Sequence, residues 1–127
     1  MQTEIRVFLV DDERKTQSSL GVLLGTLGNF KVVGSAITEA EANLWLDENA
    51  GGWDLAIVDL LLEQGAGLSV IARCRSHSER GMVVVFSGYA TAGVRGRCLE
   101  LGADAVFDKA DLQPMLEFCK GLTGLAA

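Results

Sequence analysis

RVFLVDDERK, residues 6–15, sets a five-residue run that is mostly apolar against three consecutive acids, Asp11, Asp12 and Glu13. An apolar run without polar alternation reads as a strand covered on both faces. The acids therefore stand at the mouth of a buried strand. At ~5 Å and an effective dielectric of ~20, each carboxylate pair costs about 3 kcal/mol before relaxation. Water, a cation or a helix cap must relieve that repulsion.

Four further runs of the same kind follow: KVVGSA, LAIVDL, MVVVFSG and DAVFDK, with helical stretches between them. This alternation is that of a parallel α/β sheet. The runs IRVFLV, LAIVDL and MVVVFSG are apolar on both faces and are expected at the sheet centre. The first helix carries Leu20, Leu23, Leu24 and Leu27 as one stripe and stops at Gly28. The second opens with Thr38 as cap and Glu41 reaching back, and buries Ala42, Trp45 and Leu46. Trp45 and Trp53 read as packing residues. The third runs from about Gly67 and is expected to bury Leu68, Ile71 and Ala72. The fifth carries Leu112, Met115, Leu116 and Cys119 behind Asp111 as cap, with Pro114 tolerated in its first turn. Gly93 and Gly96 each cost the fourth helix about 1 kcal/mol relative to Ala, so it is expected to be the loosest element.

A chain of 127 residues, 49% hydrophobic and 22% charged, is the size of one domain, expected over residues 1–127. No apolar run approaches the ~20 residues of a membrane span, and the first residues do not read as a signal peptide, so a cytoplasmic location is expected. A net charge of −6 argues against a nucleic-acid surface. Cys74, Cys98 and Cys119 lack metal or redox spacing and read as small buried or half-buried apolar residues. His77, the single histidine, has no metal-type neighbour and reads as a surface loop residue.

In an open parallel α/β sheet, ligands bind outside the carboxyl ends of the strands. The polar residues at those ends are Asp11 and Asp12, Asp59, Ser87, and Asp108 with Lys109. Each has a structural reading taken singly, as cap, turn or surface charge, but their gathering at one edge points to chemistry. Three carboxylates suit a hard divalent cation, Mg²⁺ ahead of Ca²⁺ because no EF-hand spacing is present. A lysine and a hydroxyl beside it suit a phosphoryl group, with Asp59 as nucleophile.

The stretches LVDDE (9–13), IVDLLL (57–62), VFSGY (85–89) and LGADAVFDK (101–109), in this order, resemble the receiver domain of two-component response regulators over essentially the whole chain. The resemblance implies a flavodoxin-like, doubly wound sheet of five parallel strands in order 2-1-3-4-5, with helices on both faces. It implies that Asp59 accepts a phosphoryl group from a sensor histidine kinase or histidine phosphotransfer protein. It implies that Asp11, Asp12, Asp59 and the backbone carbonyl of Leu61 hold Mg²⁺, that Ser87 bonds a phosphoryl oxygen, and that Lys109 pairs with it. Such a protein is a switch, not an enzyme, and is expected to engage a partner through its fourth helix, fifth strand and fifth helix.

The chain departs from the family pattern in three places. Val106 stands where receivers usually carry an aromatic switch residue, with Phe107 beside it expected to be core. Ala110 follows the lysine in place of a proline, and Glu63 replaces another. The signal is therefore expected to pass through remodelling of the fourth helix. Leu61 and Tyr89 flank the site and are expected to restrict attacking water. The last segment, GLTGLAA, shows no output domain, which suggests a stand-alone receiver; the alternatives are the receiver portion of a longer regulator and a phosphorylation-independent binding module. A phosphohydrolase of the haloacid-dehalogenase type is disfavoured, since DDERK lacks the D-x-D spacing of that family.

Overall fold

Five strands alternate with five helices in the computed structural model, which describes residues 4–126. The strands are β1 (Ile5–Val10), β2 (Phe30–Ala36), β3 (Leu55–Val58), β4 (Met82–Ser87) and β5 (Ala105–Asp108). The helices are α1 (Arg14–Leu27), α2 (Glu39–Glu48), α3 (Gly67–His77), α4 (Ala92–Leu101) and α5 (Gln113–Ala126). All strand pairs are parallel, in order β2-β1-β3-β4-β5, as the resemblance implies.

Alternation along each strand divides the core in two. Phe8, Val10, Ala56, Val58, Val83 and Val85 face one side, under Ala42 and Leu46 of α2, Val70, Ile71 and Cys74 of α3, and Cys98 of α4. Val7, Leu9, Leu55, Ile57, Val84 and Phe86 face the other, under Leu20 and Leu24 of α1 and Met115 and Cys119 of α5. Both faces of β1, β3 and β4 are thus dry, which is why those runs show no polar alternation. Trp45 stacks on Phe8, ring centroids 4.1 Å apart and nearly parallel. Its indole presses on the backbone of β2 at Gly34, where any Cβ would collide with it.

Several local expectations need correction. Ala72 is exposed and Val70 is buried instead, because α3 turns its Val70, Ile71 and Cys74 stripe to the sheet. His77 is no loop residue: it closes α3, its Nε2 2.7 Å from Asp47 of α2. Asp111 does not cap α5, which begins at Gln113; its own N–H donates to the Asp108 carbonyl in the preceding turn. Thr38 does cap α2, accepting from the Glu41 N–H, while Glu41 bonds the N–H of Ile37, one residue before the cap. All three cysteines are buried, and burial pushes the thiols of Cys74 and Cys119 up to about 12 and about 11. In α4 Cys98 is the one fully buried side chain, and the space beside Gly93 and Gly96 is open.

Candidate functional site

The carboxyl ends of β1, β3, β4 and β5 deliver Asp11, Asp59, Ser87 and Lys109 to one edge of the sheet. The helix after β1 packs on one face and the helix after β3 on the other, so a crevice opens between these two adjacent strands. Asp11 and Asp59 stand on its two sides. Their backbones are fixed by the sheet, Asp11 N–H to the Ala36 carbonyl at 3.0 Å and Asp59 N–H to the Val10 carbonyl at 2.8 Å.

Both carboxylates are almost wholly buried, 3% and 4% exposed, a burial that is costly unless each charge is paired and hydrogen-bonded. Lys109 supplies the pairing: its Nζ lies 2.8 Å from Oδ2 of Asp11 and 2.8 Å from Oδ2 of Asp59. Backbone donors take the other oxygens, Glu13 N–H on Asp11 Oδ1 at 2.9 Å and Leu61 N–H on Asp59 Oδ1 at 3.3 Å. Burial pulls the Lys109 ammonium down, but the hydrogen bonds and charges of Asp11 and Asp59 outweigh it and hold the group above its ordinary value.

Asp12 is half-buried and completes a triad, with one oxygen from each of Asp11, Asp12 and Asp59 all within 4.8 Å of one another. It has no ion-pair partner among the described residues. Three clustered carboxylates with only oxygen donors fit a hard divalent cation. Glu13 is exposed at the start of α1, as expected. Ser87 is fully buried and its Oγ accepts from the Tyr89 N–H at 3.2 Å. The side chains of Leu61 and Tyr89 are more than half exposed beside the site and line one apolar hollow with Leu60, Ala66, Leu68 and Val94. Gly67 packs against the Asp59 carbonyl so closely that no Cβ fits, and its N–H bonds the Leu60 carbonyl at 3.0 Å. The turn after Asp59 is thereby clamped to α3.

Two residues of this edge escape a reading by strand ends. Gln17 is buried in α1 and its Nε2 donates to the carbonyls of Asp11 and Ala36, both at 3.0 Å. It ties α1 to the ends of β1 and β2 just behind the acids. Its signal was a polar side chain on the apolar stripe, at i relative to Leu20 and Leu24 at i+3 and i+7. Arg95 of α4 donates from Nη1 to the Val106 carbonyl of β5 at 2.8 Å; nothing in the local sequence marks it.

Residues 7–117 match the family described as the response regulator receiver domain. The chain belongs to that family. Among curated proteins, a cyclic di-GMP phosphodiesterase of Thermotoga maritima is 28% identical to this receiver over 103 residues, 81% of the chain and 26% of the relative. The receiver thus spans about a quarter of that relative's length. The CheX–CheY–BeF3–Mg²⁺ complex of Borrelia burgdorferi superposes with a TM-score of 0.82 at 19% identity, covering 93% of the receiver and 88% of the matched chain. The NarL signal receiver domain of Mycobacterium tuberculosis gives 0.76 at 24%, covering 93% and 98%. A Burkholderia pseudomallei response regulator, solved with a phosphorylated aspartic acid, calcium and citrate, gives 0.79 at 23%, covering 98% and 74%. At these identities the structures establish the receiver fold. No helix among the described residues is long and apolar enough to cross a membrane.

Proposed function

We propose that this receiver is a phosphorylation-dependent switch in which Asp59 accepts a phosphoryl group from a phosphohistidine of a sensor kinase or phosphotransfer protein. The observation that carries this reading is the bridge of Lys109 across Asp11 and Asp59, at the one edge where Asp12 and Ser87 also converge. An oxygen of Asp59 attacks phosphorus, the phosphorus–nitrogen bond breaks, and the imidazole leaves with its electron pair and takes a proton. Lys109 passes from the carboxylate to a phosphoryl oxygen, and the Ser87 hydroxyl donates to another. Both act on charge that the transferred group spreads over its oxygens.

Asp11, Asp12, Asp59 and the Leu61 backbone carbonyl would hold Mg²⁺, which when bound supplies positive charge to the transferred group. The clustering of three carboxylates within 4.8 Å supports that role. Phosphorylation adds close to two negative charges to a buried edge, and a shift between two packings carries the signal to a partner protein through α4, β5 and α5. Residues 1–127 act as one cytoplasmic unit in this reading, which assigns no output catalysis to the chain. The one-quarter coverage of the Thermotoga relative favours a second reading, in which such a receiver serves a longer regulator; sequencing the native locus for a stop codon after Ala127 separates the two.

Intact mass after incubation with Mg²⁺ and a small acyl phosphate tests the switch. One labile phosphoryl group is expected on the wild type and none on Asp59→Asn. No adduct on the wild type would refute the proposal and leave a phosphorylation-independent binding module.

A further inference from the structure

Two groups of the site, Ser87 and Lys109, are joined directly where the Lys109 N–H donates to the Ser87 carbonyl at 3.1 Å, and again by a second route that runs through α4. Ser87 Oγ accepts from the Tyr89 N–H at 3.2 Å. The Tyr89 carbonyl accepts from the Thr91 N–H at 2.9 Å, and the Thr91 carbonyl accepts from the Arg95 N–H at 2.7 Å. Arg95 then reaches across to β5, its Nη1 donating to the Val106 carbonyl at 2.8 Å. Three residues further along the chain, Lys109 grips Asp59 at 2.8 Å. The circuit thus reaches the phosphoacceptor through Lys109 at one end and ends at the Ser87 hydroxyl at the other.

We propose that Arg95 is the positioning residue that couples the acceptor site to α4, holding the helix on β5 in the resting state and releasing it when Asp59 is phosphorylated. The proposal rests on the phosphoacceptor reading of Asp59. Position 106 has only a stiff, branched apolar side chain, which is buried; its carbonyl is the polar group available there. β5 is an edge strand, so a carbonyl on its free side finds no strand partner and needs another donor. A guanidinium supplies a charge-assisted bond.

The remainder of α4 offers little resistance. Its fully buried side chain is Cys98 alone, with Val94 and Leu101 partly buried, and nothing packs beside Gly93 or Gly96. A phosphoryl group that draws the Ser87 hydroxyl moves the turn leading to Thr91, and one that draws Lys109 moves the end of β5. The Arg95–Val106 bond spans the two moving parts, so it takes up their relative displacement.

Amide hydrogen exchange of wild type, Arg95→Met and Arg95→Lys, with and without beryllofluoride plus Mg²⁺, tests this, with fluorine NMR reporting the bound mimic. In the wild type the mimic is expected to speed exchange across residues 92–101 about five- to ten-fold, the worth of one such bond. Arg95→Met should show that faster exchange without the mimic, gain less than about two-fold on adding it, and still bind beryllofluoride. Arg95→Lys, which keeps a cationic donor, should retain most of the resting protection. If the wild type binds the mimic but Arg95→Met keeps wild-type protection and the full response, the assignment of Arg95 is overturned while the acceptor reading stands. If the wild type gives no bound-fluoride signal, the acceptor reading falls and this proposal with it.

Discussion

Replacing Asp12 by Asn should stabilise the cation-free protein and weaken its hold on Mg²⁺. One oxygen of Asp12 lies within 4.8 Å of one from each of Asp11 and Asp59. At that distance a carboxylate pair repels by ~3.5 kcal/mol at an effective dielectric of ~20 and by ~0.9 kcal/mol in bulk water. Asp12 is half-buried, so each pair falls between these limits. Lys109 offsets part of both through its bonds to the other two acids. Removing the Asp12 charge leaves its amide free to hydrogen-bond with water, and a net gain of about 1 kcal/mol is expected. Loss of one of three carboxylate donors should lower Mg²⁺ affinity about ten-fold or more, equivalent to about 1.4 kcal/mol. Urea denaturation in chelator and at Mg²⁺ near ten times the wild-type Kd separates the two effects, because bound cation adds about 1.4 kcal/mol to the wild type at that concentration. The variant should be the more stable protein in chelator and should lose that lead in Mg²⁺. A variant less stable than wild type in chelator, or one gaining as much from Mg²⁺, would refute the picture of three mutually repelling ligands.

Gly93→Ala and Gly96→Ala should each stabilise the protein by about 0.5–1 kcal/mol, since a methyl group meets no neighbour at either position; an unchanged denaturation midpoint would count against α4 as a loose, under-packed helix. At the opposite end of the sheet, Arg6 grips Asp54 through Nε and Nη2 at 3.0 Å each, and that side-chain bond holds the Asp54 carboxyl below its ordinary value of 3.8. A carboxyl depressed in the folded state contributes stability above its unfolded value, lost as pH falls through the folded one. Both side chains are about 40% exposed, so the coupling energy of an Arg6→Met, Asp54→Asn cycle should be only about 0.5 kcal/mol at pH 7. It should fade below about pH 4, and a coupling energy flat from pH 7 to pH 3 would contradict the assignment.

The sheet was legible because its three inner strands are apolar on both faces, a pattern that only double coverage explains, and because strand ends in such a sheet bring their polar residues together. Asp11, Asp59, Ser87 and Lys109 could be gathered on paper for that reason. Gln17 shows only as a polar side chain on the stripe of Leu20 and Leu24, and Arg95 not at all: each acts through backbone carbonyls, which leave no mark on a sequence. Ala72 reads as buried in place of Val70 because a helix of eleven residues with several small apolar side chains admits more than one stripe until the sheet chooses one. His77 reads as a loop residue from the sequence because its partner, Asp47, lies 30 residues away on another helix.

By itself, then, the sequence determined the alternation of elements, the doubly covered strands and the set of polar residues that a parallel sheet must carry to one edge; periodicity and strand direction are local properties of the chain. Tertiary structure alone decided how the charges are shared there. Lys109 divides its ammonium between Asp11 and Asp59 and leaves Asp12 without a cation among the described residues, because the answer depends on ångström separations between the ends of three different strands. The bond from Arg95 to Val106 belongs to the same class, since the tilt of α4 over an edge strand is set by packing and not by the order of its residues.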